Sequence, residues 1–264
     1  MIRGSFTHAR GIGPVAEKKL RDKGFQNWDD CFSRRKDLPF SSGKGARFIS
    51  ELQRSSAAHQ KKDLRFLLSR FPVSEHWRIL AEYINDATFF DIETTGLSWH
   101  YNHASVIAAL HRGRLCSFVC GVNLDDFLDL LDEAEMLVTF NGGSFDLPFI
   151  EKTFHIPPVE VPHVDLRWVA YHQGYRGGLK RIESRMNIHR PPEIGDIDGY
   201  EAVELYYRWQ SGDSNAGRDL VRYCRTDVVC TYMVACRILY EKGVDVAVQD
   251  RDWLFREALT CTVV

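Results

Sequence analysis

Two carboxylates inside an apolar segment constrain the fold of this chain more than any other feature. Asp91 and Glu93 lie in the segment Thr88–Glu93, whose other members are mainly large and apolar. Alternate side chains of a strand face the same side, so the segment predicts a strand that places both acids together. Carboxylates among apolar neighbours need a positive partner, and a divalent cation accepts carboxylate oxygens. The alternative is a strand end in solvent.

Asp146 is a third acid next to a predicted strand. The segment Asn141–Asp146 connects the apolar stretch Met136–Phe140 to a predicted helix. An acid in the first helical turn is stabilised by the helix dipole, which is also the ordinary interpretation of Asp146. The functional interpretation requires it to face the Asp91 strand, with Asn141 and Ser144 within reach of a phosphate or sugar.

A fourth acid lies on the long helix predicted from about Asn215 to Tyr240. Tyr223 and Asp227 are four residues apart and share a helix face that is otherwise apolar. A charge on such a face is informative because buried charges are rare unless they are paired. The alternative is a structural ion pair with Arg222 or Arg225.

The four acids together predict a site for two divalent cations. Two such ions about 3.5–4 Å apart can activate water and stabilise the leaving oxygen of a phosphoryl transfer. Tyr223 could orient the attacking water.

The three segments resemble the exonuclease motifs of the DEDD superfamily. The resemblance rests on Asp91-Ile92-Glu93, on Asn141 with Phe145-Asp146, and on Tyr223 with Asp227. It implies a ribonuclease H-like fold and two-metal 3′–5′ exonuclease activity. Tyrosine in the third motif marks the DEDDy branch, and the sequence is most similar to the bacterial YprB-like group. In that group a helix-hairpin-helix element often precedes the nuclease domain. The resemblance covers about 86–240 and, less fully, 6–32.

The resemblance also implies residue roles. Asp91, Glu93 and Asp227 would hold the catalytic metal, and Asp91 would bridge to a second metal supported by Asp146. Tyr223 would position the nucleophile. The residues that would contact the terminal nucleotide are Thr94, Thr95 and Leu97. The implied cofactors are two Mg²⁺ or Mn²⁺ ions.

The N-terminal region has a different charge from the rest of the chain. Residues 1–80 carry 17 basic and 8 acidic side chains, whereas 81–264 carry 17 and 28. Gly11 and Gly13 form a turn that opens a helix, and backbone N–H groups there can bind a phosphate without reading sequence. Lys18 and Lys19 follow in that helix. The alternative is an ordinary helical hairpin, since this glycine motif alone is weak.

The order of predicted elements indicates an α/β or α+β layered domain. Within the α/β class, the resemblance implies a ribonuclease H-like mixed sheet flanked by helices, preceded by a small all-α helix-hairpin-helix region. The expected divisions are 1–45 for that element, 46–85 for a basic helical linker broken near Phe71-Pro72, 86–242 for the nuclease domain and 243–264 for a C-terminal tail.

Composition excludes several classes of protein. The sequence contains no apolar run that approaches a membrane span and no secretory signal. Seven cysteines without a C-x-x-C pair argue against a disulfide scaffold or a zinc ribbon, which predicts reduced thiols in the cytoplasm.

The predicted activity is hydrolysis of phosphodiester bonds from the 3′ end of DNA or RNA. The helix-hairpin-helix element favours DNA, although RNA stays open. The alternatives are a catalytically silent nucleic-acid-binding scaffold and an endonuclease with the same metals. The expected partner is nucleic acid, with no membrane.

Overall fold

The protein consists of two compact units. The computed structural model describes residues 1–195, 197–246 and 249–260, and it divides into Met1–Tyr83 and Ile84–Val264. Cys261 and the last residues of the expected tail lie outside the described residues. No helix in the described part of the chain is long and apolar enough to cross a membrane.

The first unit is helical. Its described α-helices are α1 Pro14–Asp22, α2 Trp28–Ser33, α3 Ser42–Gln60, α4 Leu64–Arg70 and α5 His76–Tyr83. Short 3-10 turns lie at Ile2–Gly4, Arg35–Asp37 and Val73–Glu75. Pro14 occupies the first turn of α1, where its missing N–H costs nothing. The Asn27 side chain accepts from the Asp30 N–H, and the Asp30 side chain accepts from the Asn27 N–H, so a capping box begins α2.

Aromatic side chains form the core of the first unit. Phe6, Trp28 and Phe48 are fully or almost fully buried, and the Trp28 indole donates to the Ser5 carbonyl at 2.7 Å. His8 stacks on Phe71 with ring centroids 4.4 Å apart. Burial lowers the pKa of His8 to about 3, with a smaller contribution from the charge of Arg70.

The helical prediction for this unit needs two corrections. Helix α3 begins at Ser42 and so crosses the expected division between 1–45 and 46–85, and its apolar face is buried through Phe48 and Leu52. The chain also breaks at Lys61–Asp63, where Asp63 caps α4 through the Phe66 N–H. The expected break near Phe71-Pro72 is present.

The second unit is built on a mixed five-stranded sheet of order β3-β2-β1-β4-β5. The strands are β1 Ala87–Thr94, β2 Ala104–His111, β3 Arg114–Val119, β4 Met136–Thr139 and β5 His163–Asp165. Strands β1, β2 and β3 pair antiparallel, whereas β4 is parallel to both β1 and β5. The expectation of an α/β chain with a mixed sheet flanked by helices is confirmed.

Helices cover both faces of this sheet. They are α6 Phe127–Glu133, α7 Asp146–Phe154, α8 Leu166–His172, α9 Leu179–Arg185, α10 Gly199–Gln210, α11 Ser214–Glu241 and α12 Arg251–Leu259, with 3-10 turns at Leu124–Asp126 and Pro192–Ile194. Phe90 and Ile92 of β1 face a core that contains Phe127 of α6 and Phe149 of α7. On the opposite face, Phe89 contacts Tyr232 of α11 with ring centroids 5.2 Å apart.

Three features of this unit differ from the sequence predictions. Strand β5 has three residues, too few for an alternating pattern, and was not predicted. The segment 243–264, expected only as a tail, contains α12, which packs on α11 and buries Leu254 and Ala258. Tryptophan is usually highly buried, but Trp168 on α8 is 46% exposed.

Candidate functional site

Three separated segments bring their acids to one region of the sheet. Asp91 and Glu93 lie on β1, Asp146 is the first residue of α7, and Asp227 lies in the middle of α11. Each of Asp91 and Glu93 interacts electrostatically with both Asp146 and Asp227. The structure therefore places the four predicted acids in one cluster, which we call the acid cluster.

Strand β1 and helix α11 are in direct contact at this cluster. The Cys224 thiol donates to the main-chain oxygen of Asp91, with an S···O distance of 3.4 Å. A carboxylate oxygen of Asp91, one of Glu93 and the Cys224 sulfur lie within 4.8 Å of one another. Burial and the neighbouring carboxylates raise the pKa of Cys224, so this sulfur is a neutral thiol and carboxylate oxygens remain the candidate ligands.

Asp146 is positioned by a tight loop between β4 and α7. Asn141 has a left-handed backbone conformation, with φ of 72°. Gly142 donates to the Thr139 hydroxyl oxygen at 3.0 Å, and a Cβ atom on Gly142 would lie 2.1 Å from that oxygen. Only glycine permits the backbone to approach the Thr139 side chain this closely. Gly142 therefore allows the tight loop that leads into α7.

Strand β5 holds the same loop through Asp165. Its carboxylate accepts hydrogen bonds from the Asn141 N–H at 2.9 Å and the Gly143 N–H at 3.3 Å. It also caps α8 by accepting from the Arg167 N–H at 3.1 Å. Asp165 thus caps α8 and also orders the loop before Asp146.

Asp227 is paired with Arg190, a residue that sequence reasoning did not identify. Arg190 Nη2 lies 2.5 Å from Asp227 Oδ1. The same guanidinium donates to both oxygens of Glu183, at 2.8 Å from Nε and 2.6 Å from Nη2. All three side chains are largely buried. Two acids therefore share one arginine, which leaves this group of side chains with a net negative charge.

The suggested partners Arg222 and Arg225 are engaged elsewhere. Arg222 donates to the Leu259 carbonyl at 2.8 Å. Arg225 donates to the Ser117 hydroxyl and the Glu257 carbonyl. Arg222 therefore joins α11 to α12, and Arg225 joins α11 to β3 and α12. The alternative of an ion pair between Asp227 and either of these arginines is wrong.

The cluster is electrostatically incomplete. Burial raises the pKa values of Asp91 and Glu93 well above their ordinary range, and Asp227 and Asp146 raise them further. Burial also raises the pKa of Asp227, against the effect of Arg190. The pKa of Asp146 rises to about 8 because the group is buried, although backbone N–H groups oppose the shift.

These residues fit a divalent metal. Asp146 Oδ1 is buried and has no hydrogen-bond partner among the described residues. An unpaired buried carboxylate oxygen is costly, and a cation would satisfy it. Carboxylate oxygens are the hard donors that Mg²⁺ and Mn²⁺ prefer, and those of Asp91 and Glu93 lie within 4.8 Å of each other. Arg190 neutralises only part of the negative charge, so a further cation is electrostatically favourable.

Tyr223 lies beside the acid cluster on α11. The residue is buried, and burial together with Asp227 and Glu93 raises the pKa of its phenol, which stays protonated. Lys180 at the start of α9 is exposed, and its amine lies 5.4 Å from the centre of the Tyr223 ring. That lysine donates to the Ile197 carbonyl, so it is held near the cluster rather than being only a solvated charge.

The predicted nucleotide-contacting residues differ in accessibility. Thr94 and Thr95 are buried, whereas Leu97 is 58% exposed. The Asn141 side-chain oxygen accepts from Arg167 at 2.6 Å and from the Ser144 hydroxyl at 3.1 Å. The Asn141 oxygen is therefore engaged within the protein, while Leu97 is accessible from solvent.

The candidate phosphate contacts of the first unit form only part of a basic surface. Gly11 has φ of 81°, and Gly13 precedes α1 in extended conformation. Lys18 is paired with Asp22 at 2.9 Å, and Lys19 is exposed. A pocket of about 590 Å³ lies at Gly11, and its other lining residues are Arg10, Lys44, Arg47, Ser50 and Glu51. None of these five residues was predicted from the sequence.

The family comparison agrees with this fold. The sequence profile of the RNase H superfamily matches residues 88–238, more than half of the chain, and membership of that superfamily supports a nuclease. No curated protein matches the sequence at a significant level. Among solved structures, the family B DNA polymerase of the hyperthermophilic archaeon Pyrobaculum calidifontis is similar, with a TM-score of 0.48 and 17% identity. The match covers 66% of this chain and 27% of the polymerase.

Replacing Gly142 with alanine should destabilise the second unit. The added methyl group would overlap the buried Thr139 side chain, and overpacking of this kind costs about 1–3 kcal/mol. Gly143→Ala is the matched control because its nearest neighbour, an Asp165 oxygen, would be 3.4 Å away. Thermal denaturation of both variants measures the effect. Equal melting temperatures would contradict the proposed origin of the loop conformation.

Replacing Arg190 with methionine should leave two buried carboxylates without a cation. Breaking a buried ion pair by removing one partner costs about 3–5 kcal/mol, so we expect a clear loss of unfolding free energy in EDTA. Arg237→Met on α11 is the control. The ion pair of Arg237 with Glu241 is half-exposed and contributes less than about 1 kcal/mol to the unfolding free energy. Urea denaturation of the two variants compares these effects. Similar losses of unfolding free energy in the two variants would show that the buried Arg190 pairs stabilise the fold no more than the exposed pair does.

Proposed function

We propose that this chain, which belongs to the RNase H superfamily, is a metal-dependent 3′–5′ exonuclease that hydrolyses phosphodiester bonds of DNA or RNA. One observation carries the proposal. Four acids from three segments, Asp91 and Glu93 on β1, Asp146 on α7 and Asp227 on α11, interact with one another, and one arginine balances only part of their charge. A site of this kind suits cations that bridge protein carboxylates and a phosphate.

The tyrosine on α11 supports assignment to the DEDDy branch. Tyr223 lies one helical turn before Asp227 and interacts electrostatically with Asp227, Glu93 and Asp91. The sequence order of the acids also agrees with the three motifs of that branch. The complete set of acids and tyrosine argues against a catalytically silent scaffold, which would need no such cluster.

Each acid has a proposed role. Asp91, Glu93 and Asp227 hold one divalent ion, while Asp91 and Asp146 hold a second. When bound, two Mg²⁺ or Mn²⁺ ions supply charge neutralisation at the phosphate and increase the acidity of a nearby water. Arg190 fixes the carboxylate of Asp227, and Glu183 fixes the guanidinium of Arg190.

Tyr223 is proposed to orient the attacking water. Its raised pKa keeps the phenol protonated, so the hydroxyl can donate one hydrogen bond and accept another. A buried ring has little freedom to move, which makes the hydroxyl a fixed reference point for the water. The role is positioning rather than removal of a proton from the water. A phenol with a raised pKa stays protonated, so it cannot act as the base.

The first unit is proposed to bind the nucleic-acid backbone. Gly11 and Gly13 open α1, and the basic side chains around Gly11 would neutralise phosphates without reading bases. The basic first unit would thus keep the nucleic acid bound to the chain, although the second unit is acidic.

A degradation assay tests the proposed reaction. Full-length protein is incubated with 5′-labelled single-stranded DNA or RNA in Mg²⁺, Mn²⁺ or EDTA. We expect metal-dependent shortening from the 3′ end that falls at least about 100-fold in Asp91→Asn and Asp227→Asn, since each loses a metal ligand. Asp125→Asn, an exposed acid on the same unit, is the control.

The outcomes separate the candidate activities. A circular single strand has no 3′ end, so its survival is expected for an exonuclease. Cleavage of the circle would establish an endonuclease instead. Absence of cleavage of every substrate with both metals would overturn the nuclease proposal.

Tyr223→Phe should lower turnover while leaving metal binding intact. Loss of the hydroxyl removes the orienting hydrogen bond, and we expect a rate loss of about 10-fold to 100-fold. Tyr232→Phe is the control because this buried tyrosine on the same helix accepts a bond from the Gln249 N–H, away from the acid cluster. Rates and Mn²⁺ affinities of both variants are compared. A Tyr223→Phe enzyme as fast as the wild type would exclude the positioning role.

A further inference from the structure

The loop between β1 and β2 exposes aromatic side chains to an unusual degree. Leu97, Trp99 and Tyr101 are 58%, 39% and 91% exposed, and His100 between the two aromatic residues is also exposed. The Trp99 and His100 rings stack with centroids 3.7 Å apart. Large apolar side chains concentrated on a short exposed segment are typical of a binding surface. We call residues 97–101 the aromatic loop.

Hydrogen bonds at its base hold the aromatic loop in place. The Thr95 N–H donates to the His103 carbonyl at 3.0 Å, and the His103 N–H donates to the Thr95 hydroxyl oxygen at 3.2 Å. Asn102 donates to the Ser98 carbonyl at 3.0 Å through its side chain. A Cβ atom on Gly96 would lie 2.6 Å from the Asn102 side-chain oxygen, so the glycine permits close packing there. The exposed rings are therefore presented by an ordered loop.

The aromatic loop is continuous with the acid cluster. Leu97 follows Glu93 by four residues, which limits their separation to about 14 Å even in a fully extended chain. The Tyr207 hydroxyl on α10 donates to the Thr95 carbonyl at 3.1 Å and fixes the start of the loop relative to that helix. Trp99 and Tyr101 lie only a few residues farther along. A nucleic-acid strand held at the acid cluster would thus place its neighbouring nucleotides within reach of these rings.

From these observations we propose that the aromatic loop binds the unpaired bases of single-stranded nucleic acid by stacking on Trp99 and Tyr101. Every base has a flat face, so stacking tolerates any sequence, and bases in a duplex do not expose those faces. The inference rests on the proposed function, and it specifies the substrate of that site as single-stranded DNA or RNA. It assigns the contact to Trp99 and Tyr101, beyond the expected contact at Leu97.

Binding measurements on the full chain test this assignment. Fluorescence anisotropy in EDTA reports binding of labelled ten-nucleotide oligothymidylate, oligouridylate and a duplex of the same length. We expect Trp99→Ala and Tyr101→Ala each to raise the single-strand dissociation constant by about 10-fold. Trp99→Phe and Tyr101→Phe keep an aromatic face and should restore most of the affinity. Trp253→Ala is the matched control, since Trp253 is 38% exposed on α12.

The results separate this inference from the proposed reaction. Unchanged single-strand affinity in both alanine variants, tighter wild-type binding to the duplex, or no wild-type binding to either single strand would each overturn the inference. Hydrolysis of bis(p-nitrophenyl) phosphate by the wild type with Mn²⁺ is measured separately, because this small ester has no bases to stack. Loss of affinity in the variants together with no hydrolysis by the wild type would support the aromatic loop and refute the nuclease.

Discussion

Mutual repulsion among four clustered carboxylates, three of them buried, is the constraint on which the rest of the second unit depends. Charges of one sign in a region of low dielectric are costly, so a fold that gathers them must supply compensation. Arg190 supplies part of it by joining Asp227 to Glu183. The remaining demand is visible in the raised pKa values of Asp91, Glu93 and Asp146. A divalent cation meets that demand and is also the group that phosphoryl transfer needs.

The scaffold around the cluster keeps the acids close despite their repulsion. Strand β1 is central in the sheet. Helix α11 packs against it, and the Cys224 thiol donates a hydrogen bond to the Asp91 main-chain oxygen. The loop before α7 is held from two sides, by Thr139 through Gly142 and by Asp165 through Asn141. Packing of these elements therefore offsets the repulsion among the acids and keeps the site preorganised.

The parts of the site that sequence could predict are those with a repeating pattern. Alternation in β1 predicted that Asp91 and Glu93 share a face, and the spacing of four placed Tyr223 and Asp227 together on α11. Arg190 has no such pattern, because it follows α9 and lies 37 positions before the acid that it contacts. Tertiary packing alone brings Arg190 to Asp227.

The same distinction explains the fold. The order of strands and helices was sufficient to predict an α/β or α+β layered domain, since each long element has its own apolar periodicity. The resemblance of the three acidic motifs added the mixed sheet. Strand β5 was missed because three residues cannot show a period, yet its Asp165 orders the loop before Asp146. Helix α12 was missed because its apolar face, formed by Leu254 and Ala258, is only two turns long and needs α11 to bury it.

Anomalous diffraction from crystals grown with Mn²⁺ locates bound metal without reference to activity, and so it decides whether the acid cluster is a metal site. We expect one or two manganese peaks among the carboxylates of Asp91, Glu93, Asp146 and Asp227, and loss of those peaks in Asp91→Asn crystals. Manganese bound only elsewhere, or an acid cluster without a peak at saturating Mn²⁺, would contradict the claim that these four acids form a metal site.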